Sequence, residues 1–561
     1  MKNRLTKRIL AAALCLVMLF TFTACDYENA LALFDDTYAI LPLRNTDDNP
    51  TFDEMVRSYV HYDYDAFLRY ADKAEAAIRA GNEQKAEYMF NNLKAASKQV
   101  NTLKAITDAE YYSDLSNEFW ANENVYSNVT ASLVGKRLQE LEALIDGKEP
   151  KVLQSDYAKM TREKNDLINE YVNSFNQNAY SEDPEVWEYY SNLLMKLVKL
   201  RNEEARAEGY ANYAEAHFSD PYVIPFEKIK ALGDVFAERA SEFKRLNYAV
   251  SILKDLHKSE FEVIPTQEQL LSDFREFLPR VSGDMADALS DMEERGLLLF
   301  TDKEKAYWMC FSEKLTAYRT PFIFLCNYED NLLGSYSTLV HEFGHAYAAK
   351  VSLAKGDEHG PYCEKDAASS ESQSHGLEAL FYASMDDNFE WVMPWEVYAS
   401  EMFLLTVVVE ECMVAELEQA LYENEDMTPD ELCRLYSDLR VKYGYDQSYE
   451  IPGPERYYYK YGFLVSGVLF TMPFYNLNYA PASFTAMQLM LMAEEDFEKA
   501  AKAYMTIENY GDAGNYGYEH IMRDAGLIDI TDKAAVRAAI SDIYDYYNAL
   551  LERTDYAEHE E

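Results

Sequence analysis

Turn formers are scarce in this chain. Its 561 residues include only 20 Gly and 16 Pro, too few to punctuate the many short strands of an all-β fold, so long helices are favoured. Cysteine is scarce as well. There are seven: Cys15 and Cys25 lie in the N-terminal leader, while Cys310, Cys326, Cys363, Cys412 and Cys433 are scattered and odd in number. No CxxC pair occurs, which argues against a disulfide framework and against a Cys-ligated zinc site. Most of these thiols are expected to be small buried hydrophobes. Basic residues are outnumbered, 52 Lys and Arg to 98 Asp and Glu. Such a surface repels phosphate backbones, which excludes nucleic acid as a partner, and its simplest meaning is solubility. Histidine is rare, with nine in the chain, yet four of them (341, 345, 359 and 375) fall within 35 residues.

What is present is enough for a large core: 48% hydrophobic and 14% aromatic residues. The start of the chain reads as an address. MKNRLTKR is basic, and ILAAALCLVMLFTF (9–22) is apolar but short for a membrane span. FTAC then ends at Cys25. This resembles a bacterial lipoprotein signal, in which cleavage would leave Cys25 as the lipid-bearing N-terminus. The expected location is therefore an exported protein at the bacterial cell surface or periplasmic side, lipid-anchored at a membrane without spanning it. Ordinary secretion or an uncleaved anchor is the alternative.

The expected organisation is a signal peptide over 1–24, a linker over 25–50, an N-terminal helical region over 51–260, a catalytic region over 261–553 and an acidic tail over 554–561. Between 51 and 260 the apolar residues recur at three- and four-residue spacings, as in EYMFNNLKAASKQVNTLKAI and EVWEYYSNLLMKLVKL. Breaks are expected at Gly81, at 147–151 and at 219–225. Beyond 261 the helical pattern has one exception. TPFIFLCNYED (320–330) is short and apolar and reads as a strand. A helix is expected to follow, beginning near Ser335 to Thr338, with Ser or Thr as its N-cap.

That helix carries STLVHEFGHAYAAK, with HEFGH as an HExxH pattern. His341 and His345, four apart, project from one helix face and can bind one metal ion. Glu342, about 100° round the helix, reaches a water on the metal rather than the metal itself. Zinc lowers the pKa of such a water to about 7, and Glu342 is suited to take its proton during attack on a peptide carbonyl and to pass it to the leaving nitrogen. One Zn2+ ion is expected, and a catalytic zinc needs a third protein ligand and an open position. A second predicted helix, 366–385, offers Glu371, His375 and Glu378 on one face. Glu371 is chosen as the third ligand. Glu378 is expected to accept from a ligand imidazole N–H, and His375 to stand beside the substrate or behind the ligands.

At these residues the chain resembles the thimet oligopeptidase and oligoendopeptidase F family of zinc peptidases. HEFGHA is similar to the family's first motif and ESQSHGLE (371–378) to its second. LRNEEARAEGYANYAEAHF (200–218), the region 292–327, PFYNLNYAPASFTAMQLM (473–490) and HIMRDAGLID (520–529) extend the likeness. The resemblance implies a mainly α, zincin-like fold: a large helical body of two halves enclosing a deep channel, with a small β-sheet next to the HExxH helix. It implies short peptides as substrates, held extended, and the strand at 321–326 would offer an edge for that pairing. It also implies an oxyanion role for Tyr475 and Tyr479. The chain departs from the family in having no His between 375 and 520, and Asn476 where Tyr is common; RYYYKYG (456–462) supplies further phenols upstream.

The expected function is zinc-dependent endopeptidase action on short peptides. The alternatives are a Taq-type zinc carboxypeptidase, whose ESQS-like stretch is also similar, and a catalytically weakened surface peptide-binding lipoprotein. A purely structural helical protein would leave the clustered histidines unexplained.

Overall fold

A computed structural model describes residues 49–58, 62–145, 147, 163–164, 166–172, 174, 181, 183–261, 266–301, 310–325, 332–355, 367–385, 392–446, 460–465, 467–511 and 516–556. The signal segment, Cys25, Cys326, Cys363, Tyr457 and Tyr459 lie outside the described residues. Two compact units are distinguished: Met1–Val152 with Leu315–Tyr318, and Leu153–Lys314 with Arg319–Glu561.

The first unit is built on α1 (Tyr64–Arg79), α2 (Glu83–Ser113) and α3 (Glu118–Ile145). Asp63 caps α1 by accepting from Ala66 N at 3.0 Å, and Asn82 caps α2 by accepting from Lys85 N at 3.2 Å. Between them Gly81 takes φ +69°, the left-handed turn a glycine allows, where the sequence predicts a break. Phe67, Tyr70, Leu93, Val134 and Leu141 interlock as the core of this unit.

The second unit holds the predicted chemistry. Its principal helices are α4 (Pro184–Glu208), α5 (Tyr213–Phe218), α6 (Gln267–Val281), α7 (Leu332–Lys355), α8 (Ala367–Ala383), α9 (Pro394–Glu423), α10 (Tyr479–Glu495) and α11 (Phe497–Glu508). Three strands accompany them: β1 (Leu298–Phe300), β2 (Phe311–Leu315) and β3 (Thr320–Leu325). The sequence shows only the last of these. β1 is three residues long and β2, FSEKL, carries two charges, so neither displays a usable period.

The sheet corrects a second expectation. Strand order is β1–β3–β2, so the strand assigned as a free edge is the central one. β3 runs parallel to β1, with Leu298 opposite Ile323 and Phe300 opposite Leu325. All six of its residues are buried, which explains why it reads as an unbroken apolar run. A peptide pairing with this sheet would have to meet β1 or β2.

A third correction concerns α7, which begins at Leu332. Ser337 and Thr338 therefore lie inside the helix instead of capping it, and Thr338 Oγ1 donates to Gly334 O at 2.8 Å.

α8 is buried on every side, packed against α7, α9, α10 and α11. Yet its buried residues include Ser369, Glu371, Ser372, Gln373, Ser374, His375 and Glu378. Burying so many polar groups is unfavourable unless each finds a partner. No helix among the described residues is long and apolar enough to cross a membrane.

Candidate metal centre

α7 and α8 approach so closely because of a glycine. A Cβ built on Gly344 would stand 2.8 Å from Gln373 O and 2.8 Å from Ser374 Cα. Gly376, one turn on, faces the Tyr504 ring at 2.9 Å in the same sense. Backbone contact at Gly344 lays the HExxH face directly over Glu371.

His341 and His345 project from one face of α7 with ring centroids 4.9 Å apart and planes at 82°. Both Nε2 atoms converge on a single oxygen. His341 Nε2 is 3.5 Å and His345 Nε2 is 3.4 Å from Glu371 Oε2. The opposite ring atoms are held from behind: His341 Nδ1 lies 3.3 Å from Glu378 Oε2, and His345 Nδ1 3.4 Å from Ser370 Oγ. Each imidazole is thus oriented by its Nδ1 and presents its Nε2.

Glu378 is the hub behind the site. It accepts from Ser337 and, at 3.3 Å, from Tyr382, and its Oε2 lies 2.7 Å from His375 Nδ1. His375 Nδ1 has no other hydrogen-bond partner among the described residues. Glu371 Oε1 accepts from the Tyr475 hydroxyl at 2.6 Å, and Oε2 from Ser374 at 3.3 Å.

The electrostatics follow from burial and proximity. Burial disfavours charge on His341, but Glu378, Glu371 and Glu342 outweigh it and raise the imidazole to about 9 in the metal-free site. Burial would raise Glu371, but His345, His341 and Tyr475 bring it down to about 2. Glu378 is held far below the usual carboxylate range by His375 and His341, against its burial. Glu342 goes the other way: burial raises it, and the two imidazoles only partly offset this. Tyr475 is pushed well above its ordinary value by burial and by Glu371.

These groups fit a divalent ion. Metal–ligand bonds of about 2.0–2.2 Å in tetrahedral geometry set donors about 3.3–3.6 Å apart, the range of the two Nε2–Oε2 separations. Ligand atoms of His341, His345 and Glu371 all lie within 4.8 Å of one another. A second such group, His341, His375 and Glu378, shares His341 with the first. It uses the Nδ1 side already occupied by Glu378, so the first group is the better-formed cradle. Beside it, Glu342 Oε2 is buried without a hydrogen-bond partner among the described residues, an orphaned carboxylate oxygen of the kind a water or substrate group would satisfy.

The structure brings together His341, Glu342, His345, Glu371, His375, Glu378 and Tyr475. Tyr479 joins them less directly, its ring edge-on to His375 at 5.5 Å and to Tyr475 at 5.7 Å. Asn476 turns to Glu411 at 3.3 Å, and Tyr461 stacks on Trp187 at 5.7 Å. The sequence reading missed Ser337, Ser370, Ser374, Tyr382 and Gly344. Of these only Gly344 carried a signal, as a glycine inside a helical pattern where it costs about 1 kcal/mol against alanine.

No protein-family model and no curated protein matches the chain. Solved structures do. Pz peptidase A in complex with an inhibitor is 17% identical, with TM-score 0.68, 88% of this chain and 99% of that one being covered. A protein assigned as oligoendopeptidase F is 17% identical at TM-score 0.70, over 90% of this chain and 99% of its own. An M32 carboxypeptidase from Deinococcus radiodurans R1 is 13% identical at TM-score 0.52, over 83% and 99%. At these identities the likeness is one of fold: mainly α, with the small sheet, as the sequence resemblance implies.

Proposed function

We propose that this chain, built on the fold of those peptidases, is a zinc-dependent peptidase of the oligoendopeptidase F kind that hydrolyses short peptides. The observation that carries this reading is the convergence of two Nε2 atoms on Glu371 Oε2 at 3.5 and 3.4 Å, beside the unpartnered Glu342 Oε2.

His341, His345 and Glu371 would hold the ion. When bound, zinc supplies Lewis acidity, polarising an amide carbonyl and acidifying water. Glu342, raised by burial, takes a proton from the attacking water and delivers it to the amide nitrogen as the C–N bond breaks. Glu378 fixes the His341 ring from behind, and Ser370 fixes His345. Tyr475 and Tyr479 stand at the edge of the site; the Tyr475 hydroxyl, which here donates to Glu371, would turn from that carboxylate to donate to the carbonyl oxygen as it gains charge. The M32 fold likeness favours a second reading, single-residue trimming from a free C-terminus. The leader sequence supports export and lipid attachment at Cys25, and the mass of the mature N-terminal peptide tests that separately.

The deciding experiment is a digest of quenched peptides, blocked or free at the C-terminus, by wild type and Glu342→Gln, with zinc measured by mass spectrometry. Internal cleavage of blocked peptides by a one-zinc protein, lost by about a hundredfold or more in the variant, is the expected result. Trimming of free peptides alone would favour the carboxypeptidase reading. Equal turnover by both proteins would refute the assigned chemistry.

A further inference from the structure

Among the described residues, only Asn49, Arg319 and Phe474 combine a side chain with positive φ. A bulky aromatic in the left-handed region is a genuine outlier, and such conformations persist only where surroundings over-determine them. Phe474, at φ +65°, immediately precedes Tyr475, whose hydroxyl donates to Glu371 Oε1 at 2.6 Å.

Three sets of contacts hold this turn. The buried Arg201 of α4 donates to Leu469 O at 3.1 Å and to Phe470 O, securing the chain just upstream. The Phe474 ring is fully buried in a pocket of His217, Phe218 and Tyr422, with centroids 5.1, 5.1 and 5.3 Å away. Burial keeps His217 neutral, at about 4, so it serves as an apolar wall. Third, Glu418 of α9, 1% exposed, accepts the Phe474 backbone N–H at 2.9 Å. That N–H would otherwise be buried unpaired. The left-handed turn sends residue 474 into the pocket and residue 475 toward the metal centre. In an ordinary conformation at 474 the Tyr475 side chain would leave along a different direction.

We infer that Glu418 and the left-handed Phe474 form a clamp that positions Tyr475 at the candidate metal centre, so that Glu418, which touches neither the ligands nor a substrate, sets the rate of the chemical step. The inference rests on the peptidase reading for its kinetic arm only. At neutral pH burial keeps Glu418 largely in its neutral form, raised to about 8, and Gln is then its isostere, still able to accept the N–H.

The test uses the full zinc-loaded chain with Glu418→Leu, Glu418→Gln, Tyr475→Phe and the Glu418→Leu/Tyr475→Phe double variant. Tyr475→Phe should lower kcat about tenfold or more, within the range for losing one donor. Glu418→Leu should lose a similar factor, and the double variant no more than Tyr475→Phe alone. Glu418→Gln should restore kcat, and KM measured at saturating zinc should hold throughout. Multiplying effects, a wild-type kcat in Glu418→Leu, or no rescue by Gln would overturn the clamp. If Glu418→Leu does not fold, Phe474→Ala, which empties the pocket and still disfavours the left-handed turn, must show the same non-additive loss or the clamp is wrong. Hydrogen exchange over 468–479 gives a reading independent of turnover: faster in Glu418→Leu, unchanged in Glu418→Gln. If the wild type cleaves nothing, the peptidase reading fails while exchange still decides the clamp.

Discussion

Gly344 and Ser374 meet backbone to backbone: a methyl group added at Gly344 would stand 2.8 Å from the Ser374 Cα. The candidate metal-binding faces of α7 and α8 are held at the distance this contact allows. Gly344→Ala gains about 1 kcal/mol of helix propensity but forces a contact that costs about 1–3 kcal/mol in overpacking, so the net effect is destabilising. The displaced α8 would carry Glu371 off its two imidazoles. We expect a lower melting temperature and zinc affinity reduced about tenfold or more, read by thermal melts and chelator competition.

Removing Glu371 tests the centre most directly. Its Oε2 is common to both Nε2 contacts, so Glu371→Ala leaves two imidazoles without their carboxylate. Dialysis against a chelator should strip zinc from this variant under conditions where the wild type keeps one ion, and peptide cleavage should vanish with it. Retention of full zinc would show that another residue completes the site.

Glu378→Gln probes the support behind the ligands. The amide can still accept from Ser337 and Tyr382, but it carries no charge to balance His341. Loss of such a partner commonly costs about 10–100-fold in metal affinity. The protein should remain folded, and isothermal titration with zinc should show the weaker binding.

The metal-free protein should have a bounded pH range of stability. Glu371 is depressed from 4.5 to about 2, so its contribution is present above about 4.5 and is lost as pH falls through 2. His341 is raised from 6.5 to about 9, so its contribution is complete below 6.5 and is lost as pH rises through 9. Melts of the chelated protein should therefore be highest between about 4.5 and 6.5 for this cluster's share. Zinc binding must displace the His341 proton, so apparent affinity should climb with pH up to about 9. A flat dependence would contradict the ion-pair arrangement.

The part of the site legible in the sequence is the part that is local. His341, Glu342 and His345 sit within one helical turn and a half, and Glu371 and Glu378 within two turns of another, so helical spacing alone groups them. What stayed hidden depends on distant chain. β1 and β2 are ordered by β3, and their own residues lack a period. Ser337 and Ser370 are ordinary serines until α7 meets α8. The left-handed Phe474 is set by Arg201, which holds Leu469 from 268 residues away, and by Glu418, 56 residues away, which no window of neighbouring residues contains.

The same separations order events during synthesis. Glu371 and the two imidazoles lie within 31 positions of one another along the chain, but Tyr475 comes 104 residues after Glu371. A growing polypeptide that has emerged only as far as α9 already carries every candidate ligand, yet α10 and α11, against which α8 is buried, follow Tyr475 in the chain. The centre and its phenol are therefore assembled together, when the C-terminal helices close over α8.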